Sequence, residues 1–77
     1  MKDALSHIIS SIVTIPEALQ IDETEEDGLI RFSVHLAKED MGRVIGKEGK
    51  VIRAVRNVMK IPAIKQGKKI DIALVEN

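Results

Sequence analysis

Apolar residues recur along this chain with two different periods, and the changes of period mark out its elements. Leu5, Ile8, Ile9, Ile12 and Val13 follow helical spacing and make one stripe, with Ser6, His7, Ser10 and Ser11 outside it. Asp3 is placed to cap the start of that helix. Pro16 pushes Ile15 towards an extended conformation, so the helix is expected to end by about Thr14. Leu19 to Asp22 alternates weakly, as an edge strand does. The acidic run Glu23-Thr24-Glu25-Glu26-Asp27-Gly28 then reads as a solvated hairpin tip with an Asp-Gly turn. Leu29 to Leu36 alternates cleanly, with Ile30, Phe32, Val34 and Leu36 on one face and Arg31, Ser33 and His35 on the other.

The second half returns to the helical period. Lys38 to Ile45 reads as a short helix with Met41, Val44 and Ile45 at i, i+3 and i+4. Over residues 50–60, Val51, Ile52, Ala54, Val55, Val58 and Met59 cover one arc of a helix, expected to pack. Lys50, Arg53, Arg56 and Lys60 cover the opposite arc without an acid among them. Pro62 is expected to limit this helix. Gln66-Gly67-Lys68 reads as a turn, and Lys69 to Val75 as a last strand with Ile70, Ile72 and Leu74 on one face. Two helices join the second and third strands, which makes those strands parallel through a right-handed crossover, while the first two form an antiparallel hairpin. The expectation is an α+β fold, a three-stranded mixed sheet covered by helices on one face.

Between the short helix and the basic one lies Val44-Ile45-Gly46-Lys47-Glu48-Gly49-Lys50-Val51-Ile52-Arg53. Two glycines three apart remove side chains where the backbone turns sharply and let another molecule come close. Lys47 puts a positive charge at the tip, and the helix beginning at about Gly49 aims its free N–H groups and positive dipole end at the same loop. That combination suits a phosphate or a nucleic-acid backbone.

Charge sharpens this picture. The net charge is zero, but residues 1–40 carry three basic groups against nine acidic, and residues 41–77 carry nine against three, a split of −6 and +6. A basic half points to a polyanion partner. The plainer reading is that the two halves attract each other. Phe32 is the only aromatic residue, so a base-stacking platform of the RRM or cold-shock type is excluded and any nucleic acid must be held by backbone, charge and aliphatic contacts. The absence of cysteine excludes disulfides and thiolate metal sites and fits an intracellular protein. No apolar run approaches the roughly 18 residues of a membrane span. The amphipathic N-terminus is unlike a signal peptide. Seventy-seven residues make one domain with a small core, burying about 60–65% of its unfolded surface.

Strand, short helix, Ile-Gly-x-x-Gly, helix and strand together resemble a KH domain, and Val44 to Ile52 matches that family's core motif. The extra helix and strand on the N-terminal side resemble the type II arrangement, giving α-β-β-α-α-β over residues 1–77, with the addition at about 2–27 and the core motif at about 28–76. The run from Glu39 to Lys47 is similar to the small bacterial stand-alone KH proteins of the KhpA/YlqC family. The resemblance implies single-stranded RNA binding, with the glycine loop gripping the backbone of about four nucleotides. It implies that Gly46, Lys47, Glu48 and Gly49 hold phosphates and that Ile45 and Ile52 line an aliphatic groove, though both also suit the core. Arg43, Lys50, Arg53 and Arg56 join them as neighbouring charges, Arg56 about two turns from the loop. It further implies an RNA chaperone or post-transcriptional regulator in the cytoplasm, linked to a second KH-family protein of the KhpB type and to control of cell elongation and envelope synthesis.

Two residues depart from the pattern. Glu48 places an acid in the loop, where it opposes phosphate, points away or caps the helix. Pro62 falls where the family's helix is expected to continue. The competing reading is a protein-interaction module in which two copies pair as a homodimer through helices or a sheet edge, without an RNA site. Catalysis has little support: His7 and His35 fall on separate elements with no evident nucleophile or carboxylate partner, and no Gly-Lys-Ser/Thr ends the loop as a Walker motif requires. No cofactor or metal is implied.

Overall fold

The computed structural model describes residues 1–76. The elements run α1 (Lys2–Ser10), β1 (Gln20–Glu26), β2 (Leu29–Leu36), α2 (Lys38–Ile45), α3 (Lys50–Lys65) and β3 (Lys69–Glu76), with short 3-10 turns at Pro16–Ala18 and Lys47–Gly49. The sheet order is β1-β2-β3, antiparallel between the first two and parallel between the last two. This is the expected α-β-β-α-α-β mixed sheet of a type II KH fold. Leu5 and Ile9 of α1, Val44 of α2, and Ile52, Val55 and Met59 of α3 meet Ile21, Ile30, Phe32, Val34, Leu36 and Ile72 in one buried cluster. The alternation of β2 is realised residue for residue: Ile30, Phe32, Val34 and Leu36 are all buried.

Three boundaries differ from the sequence expectation. Met1, not Asp3, occupies the N-cap position of α1, with no side-chain cap, and the helix ends at Ser10, within the expected limit of about Thr14. Ser10 Oγ donates to the His7 carbonyl (3.0 Å) and Ser11 Oγ to the Ile8 carbonyl (2.6 Å), and such local hydroxyl bonds compete with the helix ladder. Strand β1 is longer than Leu19 to Asp22: the acidic segment lies inside it, and the tip is Asp27-Gly28 alone. Asp27 (φ 52°) and Gly28 (φ 81°) both take the left-handed conformation, so pairing continues to Glu26 opposite Leu29. An edge strand keeps those carboxylates in water.

Helix α3 runs to Lys65 with Pro62 inside it. Met59 and Ala63, on either side of the proline, are each about 1% exposed. Their burial offsets the missing hydrogen bond and ring clash, which together cost about 3 kcal/mol. The last turn closes through Lys68 N–H to the Ala63 carbonyl (2.9 Å). The apolar arc of α3 is also wider than the sheet can cover, so Ala54 and Val58, expected to pack, are exposed.

Candidate nucleic-acid interface

Helix α2 is anchored from below by Asp40, which is fully buried. Its carboxylate accepts from Thr14 N–H (2.9 Å), the Thr14 hydroxyl (2.8 Å) and Ile15 N–H (2.9 Å). Burial pushes the Asp40 pKa up, but these three donors, with Arg43 nearby, outweigh it and hold the group below its ordinary 3.8. Asp40 therefore stays ionised and ties the chain between α1 and β1 to the first turn of α2. The sequence reading missed it, because an acid in a helix's first turn looks like a surface residue that favours the dipole. Arg43 lies 4.0 Å from the same carboxylate and reaches solvent.

From α2 the chain enters the loop through Gly46 (φ 75°, ψ 173°), a conformation open essentially to glycine alone. A Cβ there would lie 2.8 Å from Val51 Cβ and 2.9 Å from its backbone nitrogen. The loop thus packs hard on the first turn of α3. Glu48 (φ 57°) and Gly49 (φ 74°) follow in the left-handed region, and a Cβ on Gly49 would meet nothing within 4 Å. The turn closes through Gly49 N–H to the Gly46 carbonyl (3.1 Å) and Lys50 N–H to the Lys47 carbonyl. The two glycines therefore differ: Gly46 makes room for the protein, and Gly49 leaves room for something else.

The charges around the loop are of three kinds. Lys47 and Lys50 are exposed, and among the described residues their side chains have no ion pair or hydrogen bond. Arg53 Nη2 donates to the Glu48 carbonyl (3.4 Å), which holds the guanidinium at the loop. Arg56 Nη2 instead donates to the Ile72 carbonyl of β3 (3.1 Å), so it faces the edge strand and away from the loop. Glu48 is exposed, and no side chain caps the start of α3. Of the two groove isoleucines, Ile52 belongs to the core at 8% exposure, whereas Ile45 is 38% exposed. The result is a glycine turn at a helix N-terminus, with two uncommitted ammonium groups and one guanidinium beside it, a geometry suited to an anionic backbone.

Cross-strand pairing also gives His35 a carboxylate partner that the sequence did not reveal: Nε2 lies 3.1 Å from Asp22 Oδ2 on the sheet face away from the helices. Among the described residues no group of three or more His, Asp or Glu side chains is arranged to hold a metal, and no helix is long and apolar enough to cross a membrane.

The family model of the KhpA/KhpB KH domain matches residues 2–74. The chain belongs to the KhpA/KhpB KH-domain family. Among its relatives, the RNA-binding protein KhpA of Clostridium acetobutylicum is 36% identical over 75 residues, covering 97% of this chain and all of the relative. The protein of the same name from Chlamydia caviae is 35% identical over 77 residues, 100% of this chain and 99% of its own. That of Listeria monocytogenes is 34% identical over 76 residues, 99% and 100%. Membership places this chain in a KH family of binding domains, not among enzymes.

Proposed function

We propose that this protein binds single-stranded RNA, gripping the phosphate backbone with the loop from Gly46 to Gly49 and laying bases over the surface near Ile45. The observation that carries the reading is the open space over Gly49 beside the uncommitted Lys47 and Lys50 at the start of α3. The names of its relatives support the same reading. Arg43 and Arg53 extend the grip, while Gly46 and Ile52 act by holding the loop on the core. Glu48 is exposed, and its backbone carbonyl holds Arg53 at the loop. The role is that of an RNA chaperone or post-transcriptional regulator in the cytoplasm, working with a second KH protein of the KhpB type.

Fluorescence anisotropy with a short labelled single-stranded RNA tests this at two salt concentrations, comparing the intact chain with a Lys47→Asp/Glu48→Asp variant. Aspartate tolerates the left-handed conformation at position 48, so the variant should fold. Binding that weakens with salt and disappears in the folded variant is the expected outcome. Equal binding by both proteins removes the loop from the site.

Self-pairing is favoured by a different observation. Val58 and Ile61, 51% and 58% exposed, lie one turn apart on α3 with exposed Ala54 a turn before them, an aliphatic stripe facing solvent. Two copies meeting on this stripe would double the number of RNA sites and raise avidity. Light scattering over a concentration series should show a dimer for the intact chain and a monomer for Val58→Gln/Ile61→Gln; a monomer throughout sinks this reading.

A further inference from the structure

The sheet has two outer edges, and they are finished differently. On β3 the edge is engaged by a side chain, since Arg56 Nη2 donates to the outward Ile72 carbonyl at 3.1 Å. On β1 the register shows which groups face out. The two-residue turn at Asp27-Gly28 closes on Glu26 and Leu29, which exchange both backbone bonds, and such pairs recur at every second residue of an antiparallel ladder. Glu26, Thr24, Asp22 and Gln20 therefore spend their N–H and C=O groups on β2, while Ile21, Glu23 and Glu25 turn theirs outward. Among the described residues no backbone group outside the ladder bonds to them.

Charge on an exposed edge keeps strands from adding to it, and lysine is the commonest guard. The guard on β1 is one-sided: the strand carries Asp22, Glu23, Glu25 and Glu26 and no basic residue. Such an edge repels acidic strands and admits basic ones. Two of its carboxylates are already taken, Asp22 by His35 at 3.1 Å and Glu25 by Lys68 at 2.9 Å. Glu23 and Glu26 have no ion pair among the described residues. Three apart on a strand, they point to opposite faces. Beside Glu26 a cleft of about 330 Å³ is lined by Thr24, Glu25, Glu26, Asp27, Leu29 and Arg31. Arg31 is drawn to Asp71 at 3.3 Å, and Leu29 is half-buried. The cleft thus offers carboxylates and an aliphatic wall to a long cationic side chain.

We propose that the outer edge of β1 docks an extended, basic segment of another protein as a fourth strand. The outward backbone groups of Glu23 and Glu25 bond to its backbone. One Lys or Arg of the segment pairs with Glu23 on the helix side of the sheet. A second, three residues away and so on the other face, enters the cleft and pairs with Glu26 and Asp27. Charge selects this occupant: β1 of a second copy would set acid against acid, and RNA phosphates are repelled. The site is distinct from the glycine loop and does not rest on the RNA-binding reading.

The test uses the full chain and a labelled peptide, acetyl-Thr-Thr-Lys-Thr-Thr-Arg-Thr-Thr-amide, followed by anisotropy and by backbone amide resonances. Binding should shift the Glu23 and Glu25 amides, slow their exchange with solvent, and leave those from Gly46 to Lys50 unmoved. Two further peptides carry N-methyl groups on alternate amides, one set each, with the charge unchanged. One should lose binding and the other keep it, because only every second amide of an added strand faces β1. Glu23→Gln/Glu26→Gln should weaken the parent peptide about five- to tenfold without weakening single-stranded RNA. Moving the two basic residues to positions two apart, on one face, should weaken it several-fold. Equal binding by both methylated peptides means charge attraction without a fourth strand and overturns the proposal. It is also overturned by undiminished binding to the Glu23→Gln/Glu26→Gln variant, or by no amide shift even at about 1 mM peptide, which would leave the acids as a guard alone. Protection of the Glu23 and Glu25 amides that grows with protein concentration and needs no peptide gives the edge to a second copy instead.

Discussion

The chain makes the same backbone corner twice. At Asp27-Gly28 and again at Glu48-Gly49 an acidic residue (φ 52° and 57°) precedes a glycine (φ 81° and 74°), both left-handed, and neither glycine's missing Cβ would touch anything. What differs is the setting. The first corner joins two paired strands: Glu26 stands opposite Leu29, and the Gly28 carbonyl accepts from Lys69 N–H at 2.9 Å. Acids outnumber bases around it: the cleft beside it, about 330 Å³, is lined by Thr24, Glu25, Glu26, Asp27 and Leu29 with a single base, Arg31. The second corner opens onto a helix N-terminus between Lys47, Lys50 and Arg53. A local conformation therefore does not make an anion site. What the proposed RNA site adds to that conformation is the charge around it and the helix N–H groups left without intrahelical partners.

The sharpest contrast is beneath the second corner, where Gly46 has no counterpart in the hairpin. Gly46→Ala should cost about 3 kcal/mol in urea denaturation, because a methyl group collides with Val51 in a glycine-only conformation. A loss below ~1 kcal/mol would mean that the loop is not packed on α3.

Asp40→Asn should follow, lowering the thermal midpoint by breaking the anchor under α2. Because its folded pKa lies below 3.8, the stabilisation from Asp40 is fully present above that pH. It is lost as the pH falls from 3.8 through the lower folded value. The gap between intact and variant midpoints should be constant near neutrality and close in acid; a gap that persists unchanged at low pH would refute the assignment.

Gly28→Ala and Gly49→Ala form a matched pair. Each should cost about 1 kcal/mol, since both place a Cβ on a left-handed residue in open space. Only Gly49→Ala should weaken RNA binding, and equal RNA effects would dissolve the comparison.

Asp27→Asn and Glu48→Asn have the smallest effects. Both should change stability by no more than about 0.5 kcal/mol. Asp27→Asn should leave RNA affinity as it was, whereas Glu48→Asn should tighten it about threefold at low salt, a gain that screening removes. Tightening by both would show that net charge matters more than place.

Much of this was written along the chain. The alternation of β2, the Asp27-Gly28 turn, the short helix ending in Ile45, the glycine pair and the final strand depend on local period and turn chemistry, which act on neighbours in sequence. The family motif and the crossover that makes β2 and β3 parallel were legible for the same reason. Other features needed the third dimension. Pro62 sits inside α3 because Met59 and Ala63 find the core, and tertiary burial overrides a local penalty. Asp40 reads as one acid among nine until Thr14 and Ile15 come round to it. Arg56 and Arg53 share a stripe in sequence but part in space, one to β3 and one to the loop, and Asp22 meets His35 only through strand register. Gly46 and Gly49 are identical letters of one motif, and only the packing of Val51 shows that one serves the fold and the other is left open. Periodicity specifies which residues share a face; what lies opposite that face is decided by segments far away in the chain.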